Sequence, residues 1–233
     1  MKTVSDSKRA FYSYHARPIN SVYRRVIEEL LVEMHLLSVN SDFKQDPIYC
    51  LGVVSSFERL MQGYKPEKDK ESIFNGLCKA VDADPNLYKS QAGTLLTVAK
   101  NKSADDLIAW LKEPTAEIGG EIVEPIKAIA SNENFKYSRP FAIGLYTLLE
   151  EADAETVKDK EKLEKIIDTI AENFHNLPAE KMKKDLELYR SNLERMDQLL
   201  KVIEDVLEAS RKQREKRAKE QEEKETSEAA AES

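Results

Sequence analysis

Residues 177–207 read LPAEKMKKDLELYRSNLERMDQLLKVIEDVL, and this stretch decides the class of fold. Pro178 suits the first turn of a helix, where its missing N–H has no partner to lose. From there to the last residue the chain holds neither Gly nor Pro, so nothing punctuates a helix. Apolar residues fall at Met182, Leu186, Tyr189, Leu193, Met196, Leu200, Ile203 and Leu207. Their spacing alternates four and three, the a/d seam of a coiled coil. A helix from Pro178 to about Glu225 is roughly 70 Å long at 1.5 Å per residue. A compact domain of this length is only ~38 Å across. The expectation is a long helix over residues 177–225 whose first half packs on a body and whose second half projects. Past Leu207 the apolar stripe ends and Arg211, Lys212, Arg214, Lys216 and Arg217 follow, a candidate projecting arm. Residues 226–233 are small or acidic and read as a disordered tail.

Working back from that helix, the chain of 233 residues has seven Gly and eight Pro, and nearly every Pro follows a helix-capping residue or opens an apolar periodic run. Ser5 and Asp6 can cap a short helix that carries Ala10, Phe11 and Tyr14 and that Pro18 ends. Asn20 or Ser21 caps a helix to Ser38, apolar over more than half its circumference and so expected at the centre of the core. Asp46-Pro47, Pro66, Asp84-Pro85, Ser103 with Asp106, and Ser138 mark five further starts. Another helix is expected over about Glu121 to Ala130, and one charged helix over about Ala154 to Phe174. Period-two alternation is absent, as are internal repeats. The fold class is all-α: a multi-helix globular bundle over residues 1–176 with a long C-terminal helix, partly coiled-coil-like and projecting.

Charged residues make up 34% and the net charge is −7, which argues against nucleic acid as a partner. The charge is uneven. Residues 1–27 carry Lys2, Lys8, Arg9, Arg17, Arg24 and Arg25 against Asp6 alone, a net of +5. Lys8, Arg9, Arg17, Arg24 and Arg25 form a candidate basic docking surface for an acidic partner or an anionic membrane. Cys50 and Cys78 lie far apart without metal spacing and read as buried thiols. His35 follows Glu28, Glu29 and Glu33, but a di-metal bundle site needs Glu and His three apart, and Glu33 is two away. We find no P-loop, no nucleophile elbow and no zinc motif. The residues therefore assign no catalytic, cofactor-binding or metal site. Neither a transmembrane run nor a secretory signal is present.

Several stretches are more specific than their periodicity. In order they are Thr3-Val-Ser-Asp-Ser-Lys-Arg-Ala-Phe11, Arg17-Pro-Ile-Asn-Ser-Val-Tyr-Arg24, Glu28-Glu-Leu-Leu-Val-Glu33 with His35-Leu-Leu37, Asp46-Pro47 with Leu51-Gly-Val53, Met61-Gln-Gly-Tyr64, Tyr137-Ser-Arg-Pro-Phe-Ala-Ile-Gly-Leu145 and Leu188-Tyr-Arg190. Together they resemble the thylakoid formation protein family, also called the photosystem II biogenesis protein family, of cyanobacteria and chloroplasts. The resemblance spans about Thr3 to Leu207 and looks like a cyanobacterial member without a transit peptide. It implies a non-enzymatic factor for thylakoid biogenesis and photosystem II repair. It also implies association with membrane-bound FtsH-type AAA metalloproteases, with photosystem II components or an anionic membrane as further candidates. No cofactor is implied. The expectation that follows is a monomer in the cytoplasm, peripherally attached to the thylakoid membrane. The alternative is a structural coiled-coil protein that organises membranes or self-associates.

Overall fold

The computed structural model describes residues 2–174 and 177–231, with the side chains of all of these except 207 and 215–231. Among the described residues every regular element is helical. In chain order they are α1 (Val4–Tyr14), α2 (Ser21–Ser38), α3 (Pro47–Leu60), α4 (Asp69–Ala80), α5 (Pro85–Ala99), α6 (Ala104–Lys112), α7 (Ala116–Gly119), α8 (Val123–Ser131), α9 (Arg139–Ala152), α10 (Ala154–Lys158), α11 (Lys160–Asn173) and α12 (Ala179–Ala231). The all-α reading holds. The chain divides into two compact units, Met1–Arg190 and Ser191–Ser233.

The helix starts are local chemistry. Thr3 and Asp6 form a reciprocal capping box on α1, and Ser103 and Asp106 another on α6. Asn20, Asp46, Asp84 and Ser138 each accept a backbone N–H from the first turn that follows. Asp46 does so while buried, and burial pushes its carboxyl up to about 7 against the two amides that hold it.

Four starts differ from the sequence reading. The expected caps Ser5 and Asp6 lie inside α1, whose cap is Thr3, because the Thr3 hydroxyl accepts from the Asp6 N–H while the Asp6 carboxylate accepts from the Thr3 N–H. Pro66 opens a turn, in which its carbonyl accepts from the Asp69 N–H, and α4 begins only at Asp69. The expected helix over 121–130 is α8, preceded by α7 and a 3-10 turn at Gly120–Ile122, because Gly120 takes a positive φ of 52°. The charged helix over 154–174 is broken in two. Asp159 leaves the helical conformation so that its carboxylate can accept from the N–H groups of Glu161 and Lys162, capping α11.

The centre of the first unit is not α2. That helix buries seven of its eighteen residues and leaves Val22 and Leu36 exposed. The centre is α3, with eleven of fourteen residues buried, packed on α9, with ten of fourteen. Two glycines allow this. A Cβ at Gly52 would lie 1.6 Å from the Pro140 carbonyl oxygen, and one at Gly144 would lie 1.9 Å from the Ile48 carbonyl oxygen. The two backbones touch with nothing between them. Around this pair α5 packs on α3, and α1 lies on α4 with Phe11 over Gly76.

The start of α12 belongs to the first unit, where Met182, Leu186 and Tyr189 are buried. Lys183 bridges to Asp168 at 2.7 Å and Glu187 to Lys160 at 3.0 Å, tying it to α11. The second unit is the rest of that helix, which continues to Ala231 with no break at Thr226. Within it Ile203, Val202 and Val206 are exposed, Arg211 and Arg214 too, and Lys212 pairs with Glu208 at 2.6 Å. The side chains of Lys216 and Arg217, and residues 232–233, lie outside the described residues.

Two outcomes follow. Gly52→Ala and Gly144→Ala will each destabilise by about 3 kcal/mol or more in urea unfolding, since backbone must move. Gly93→Ala, in the middle of α5 with open space at its Cβ, will instead stabilise by up to about 1 kcal/mol. The second concerns Asp46. The unfolded carboxyl titrates near 3.8 and the folded one near 7, so between these values the folded chain binds more protons at this site. The Asp46 contribution to stability therefore falls as pH rises from about 4 to 7. Asp46→Asn keeps a capping oxygen and will remove that slope, which parallel denaturation series for the two proteins at stepped pH will show.

Candidate functional site

A groove of about 940 Å³ opens on the first unit between the residues of α2, the segment that enters α9 and the first turns of α12. The Asn20 cap starts α2 so that Arg24, Arg25, Glu28, Glu29, Val32, Glu33, Leu36 and Leu37 fall along it. The Ser138 cap sets Tyr137 and Arg139 on either side of the start of α9. Lys181 and Asp185 come from α12, one helical turn apart.

The polar side chains are joined in pairs across elements. Arg139 stands in the first turn of α9, where the helix dipole disfavours a cation. The Glu33 carboxylate offsets this, taking Nη2 at 2.7 Å and Nε at 3.2 Å on one oxygen. Burial raises the Glu33 carboxyl, and the Arg139 guanidinium pulls it back. Tyr137 donates its hydroxyl to Asp185 at 2.7 Å, and burial with that bond drives the phenol well above its ordinary value. Glu28 takes Lys8 at 2.7 Å and the Tyr12 hydroxyl at 3.0 Å; the Lys8 bond holds the Glu28 carboxyl below its usual range. Arg25 holds Glu29 at 2.9 Å. Beside these pairs Leu36 is 57% exposed, an apolar ledge in open solvent.

The candidate basic residues divide. Lys8, Arg24 and Arg25 line the groove, while Arg9 and Arg17 do not. Arg9 pairs with Asp6 at 3.4 Å, and Arg17 binds the buried Asp69 at the start of α4. The candidate arm residues Arg211, Lys212 and Arg214 belong to the second unit. Glu33 was weighed only as a metal ligand beside His35 and set aside, and Tyr137, Arg139, Lys181 and Asp185 were not singled out by their types. The only signal was that Glu28–Glu33 and Tyr137–Arg139 fall in the more specific stretches.

The other reactive side chains are structural. The buried His35 Nδ1 meets Ser7 Oγ at 2.9 Å, and the buried His15 Nδ1 meets Ser72 Oγ at 2.8 Å. His175 lies outside the described residues. Cys50 and Cys78 are buried and free, and burial pushes the Cys78 thiol up to about 12. Among the described residues no group of three or more His, Cys, Asp and Glu is placed to hold a metal ion, and no helix is long and apolar enough to cross a membrane.

The first unit is thus an all-helical body that carries a groove of mostly paired charges. Residues 3–218 match the model of the family described as thylakoid formation protein, so the chain belongs to that family. The family is named for thylakoid formation, not for a reaction. The chain is 57% identical over 216 residues to Protein Thf1 of Gloeothece citriformis, covering 92% of this chain and 95% of the relative. It is 55% identical to Protein Thf1 of a Picosynechococcus species, covering 92% and 84%. A solved structure titled as that of Psb29 is 41% identical, with a TM-score of 0.79, covering 92% of this chain and 99% of the other.

The Glu33–Arg139 pair gives a stability outcome. Arg139→Met leaves a largely buried carboxylate without its partner and will cost about 1–3 kcal/mol at pH 7.5. The unpaired carboxyl titrates above its unfolded value, so the deficit will shrink as pH falls toward 4.5. Glu33→Met together with Arg139→Met will recover part of the loss, and a double-mutant cycle by urea unfolding at both pH values checks both statements.

Proposed function

We propose that the protein is a non-enzymatic accessory factor for thylakoid membrane biogenesis and photosystem II repair. In this reading it acts from the membrane surface by association with an FtsH-type AAA protease complex, as a monomer and without a cofactor. The observation that carries the reading is membership of the thylakoid formation protein family over nearly the whole chain. Likeness to a solved chain titled Psb29 supports the photosystem II side of it. The geometry is consistent with contact rather than turnover: His15, His35 and both cysteines are held in the core, and most of the charged groups of the groove are paired with one another.

A second reading has its own observation. Val202, Ile203 and Val206 are exposed on α12, and an apolar helix face in water suits pairing with another helix. In that reading the protein organises thylakoid membranes or self-associates through the seam.

An affinity pull-down of the tagged chain from mildly solubilised thylakoid membranes tests the two. The expected outcome is recovery of an FtsH-type protease by the full chain and by a chain lacking residues 208–233, which would put the contact on the body. Loss on truncation would assign it to the arm. Absence of the protease from both, with self-association in sedimentation, would replace the first reading by the second.

A further inference from the structure

The basic residues at the front of the chain are mostly neutralised from elsewhere. Lys2 reaches Asp82, Lys8 reaches Glu28, Arg9 reaches Asp6, Arg17 reaches Asp69 and Arg25 reaches Glu29. Arg24 is the exception: among the described residues no carboxylate lies within ion-pair distance of it, and it is exposed in the wall of the groove. Lys181, contributed to the same groove by α12, is in the same condition. Its ammonium sits 5.2 Å from the centroid of the Tyr137 ring, a contact that leaves its charge uncompensated.

Three of the four carboxylates of the groove hold a cation, and the fourth, Asp185, holds only a neutral hydroxyl. Glu28 holds Lys8 and Tyr12, Glu29 holds Arg25, Glu33 holds Arg139 and Asp185 holds Tyr137. A basic segment entering the groove would meet five cations against four carboxylates, of which only Asp185 lacks a cation of its own. An acidic segment would find Arg24 and Lys181 available and would compensate them as water leaves. The apolar half of the site is already supplied, since Leu36 is 57% exposed and Val32 half-buried beside it. We propose that this groove receives an acidic segment of a partner protein carrying leucine-type side chains. Its apolar residues cover Val32 and Leu36, and its carboxylates meet Arg24 and Lys181. This rests on the functional reading only in taking the chain to act by contact with a partner.

The test is photo-crosslinking from the ledge itself. The full chain carrying p-benzoylphenylalanine in place of Leu36 is irradiated with mildly solubilised thylakoid membranes, and the crosslinked segment is sequenced by mass spectrometry. The expected result is a net-acidic, leucine-bearing protein segment, with a yield that falls about tenfold in Arg24→Glu with Lys181→Glu. Arg24→Gln with Lys181→Gln, which adds no like charge beside Glu28, will give a smaller fall in the same direction. Circular-dichroism melts of both variants check that folding is intact. Capture of a protein through a basic or neutral segment, a lipid adduct, a second copy of this chain, no adduct, or a yield indifferent to both variants each overturns the proposal. The chemistry of the crosslinked segment decides this, whichever protein it comes from. Failure of the functional reading shows separately, as absence of an FtsH-type subunit from the proteins recovered.

Discussion

The contact between the backbones of α3 and α9 is the constraint on which the rest of the first unit depends. Helices held apart by Leu or Phe tolerate some sliding, because side chains can change rotamer. At Gly52 and Gly144 the carbonyl oxygens of Pro140 and Ile48 occupy the places where side chains would begin, so the crossing point is fixed by atoms that cannot move aside. Because Pro140 is in the first turn of α9, the same contact fixes where that turn emerges. Tyr137, Ser138 and Arg139 precede or open it, and so the floor of the groove inherits its position from a packing event in the core. The Glu33–Arg139 and Tyr137–Asp185 bonds then join α2 and α12 to a point already set.

What the sequence revealed about the fold follows a division between local and distant causes. The caps at Asn20, Asp46, Asp84, Ser103 and Ser138 are chemistry within one turn, and they were readable. The choice of central helix was not. A wide apolar face marks α2, yet Leu36 stays in solvent, whereas α3 is the central helix although it contains Gly52, Ser55 and Ser56. Glycine and serine lower helix propensity, but they also let a neighbour approach, and only the partner's position says which effect decides. Asp159 shows the same ambiguity on a smaller scale. A charged residue within a charged stretch reads as a solvated helix face, and its role as the cap of α11 depends on a break that nothing nearby announces.

The groove was the least legible part, and charge explains why. Counting residues 1–27 gives a strongly basic segment, but Glu28, Glu29, Asp69 and Asp82 stand outside the window and meet its cations in space. Exposed pairs of this kind contribute about 0–1 kcal/mol each, so they do little for stability. Their effect is on the field, turning a basic stretch into a surface of ion pairs in which Arg24 remains without a carboxylate among the described residues. Arg17 with Asp69 is of another kind, because that carboxylate is buried and its removal from water must be offset.

The last helix carries one pattern used in two ways. In Met182, Leu186 and Tyr189 the seam is closed against the body, while Ile203, in the same register, is 41% exposed. The sequence spacing is uniform across this change, so periodicity alone could place the helix but not divide it. Val202, Ile203 and Val206 are poorer helix formers than the Ala, Leu, Glu or Lys that an exposed helix would best carry. Local propensity therefore gives no account of their presence, and burial by a second surface would. The groove and this face differ in what they offer a partner: the first supplies unpaired positive charge with an apolar ledge, the second apolar surface alone. Recognition through the first weakens with added salt, and recognition through the second does not, so ionic strength separates the two modes of contact without any change to the chain.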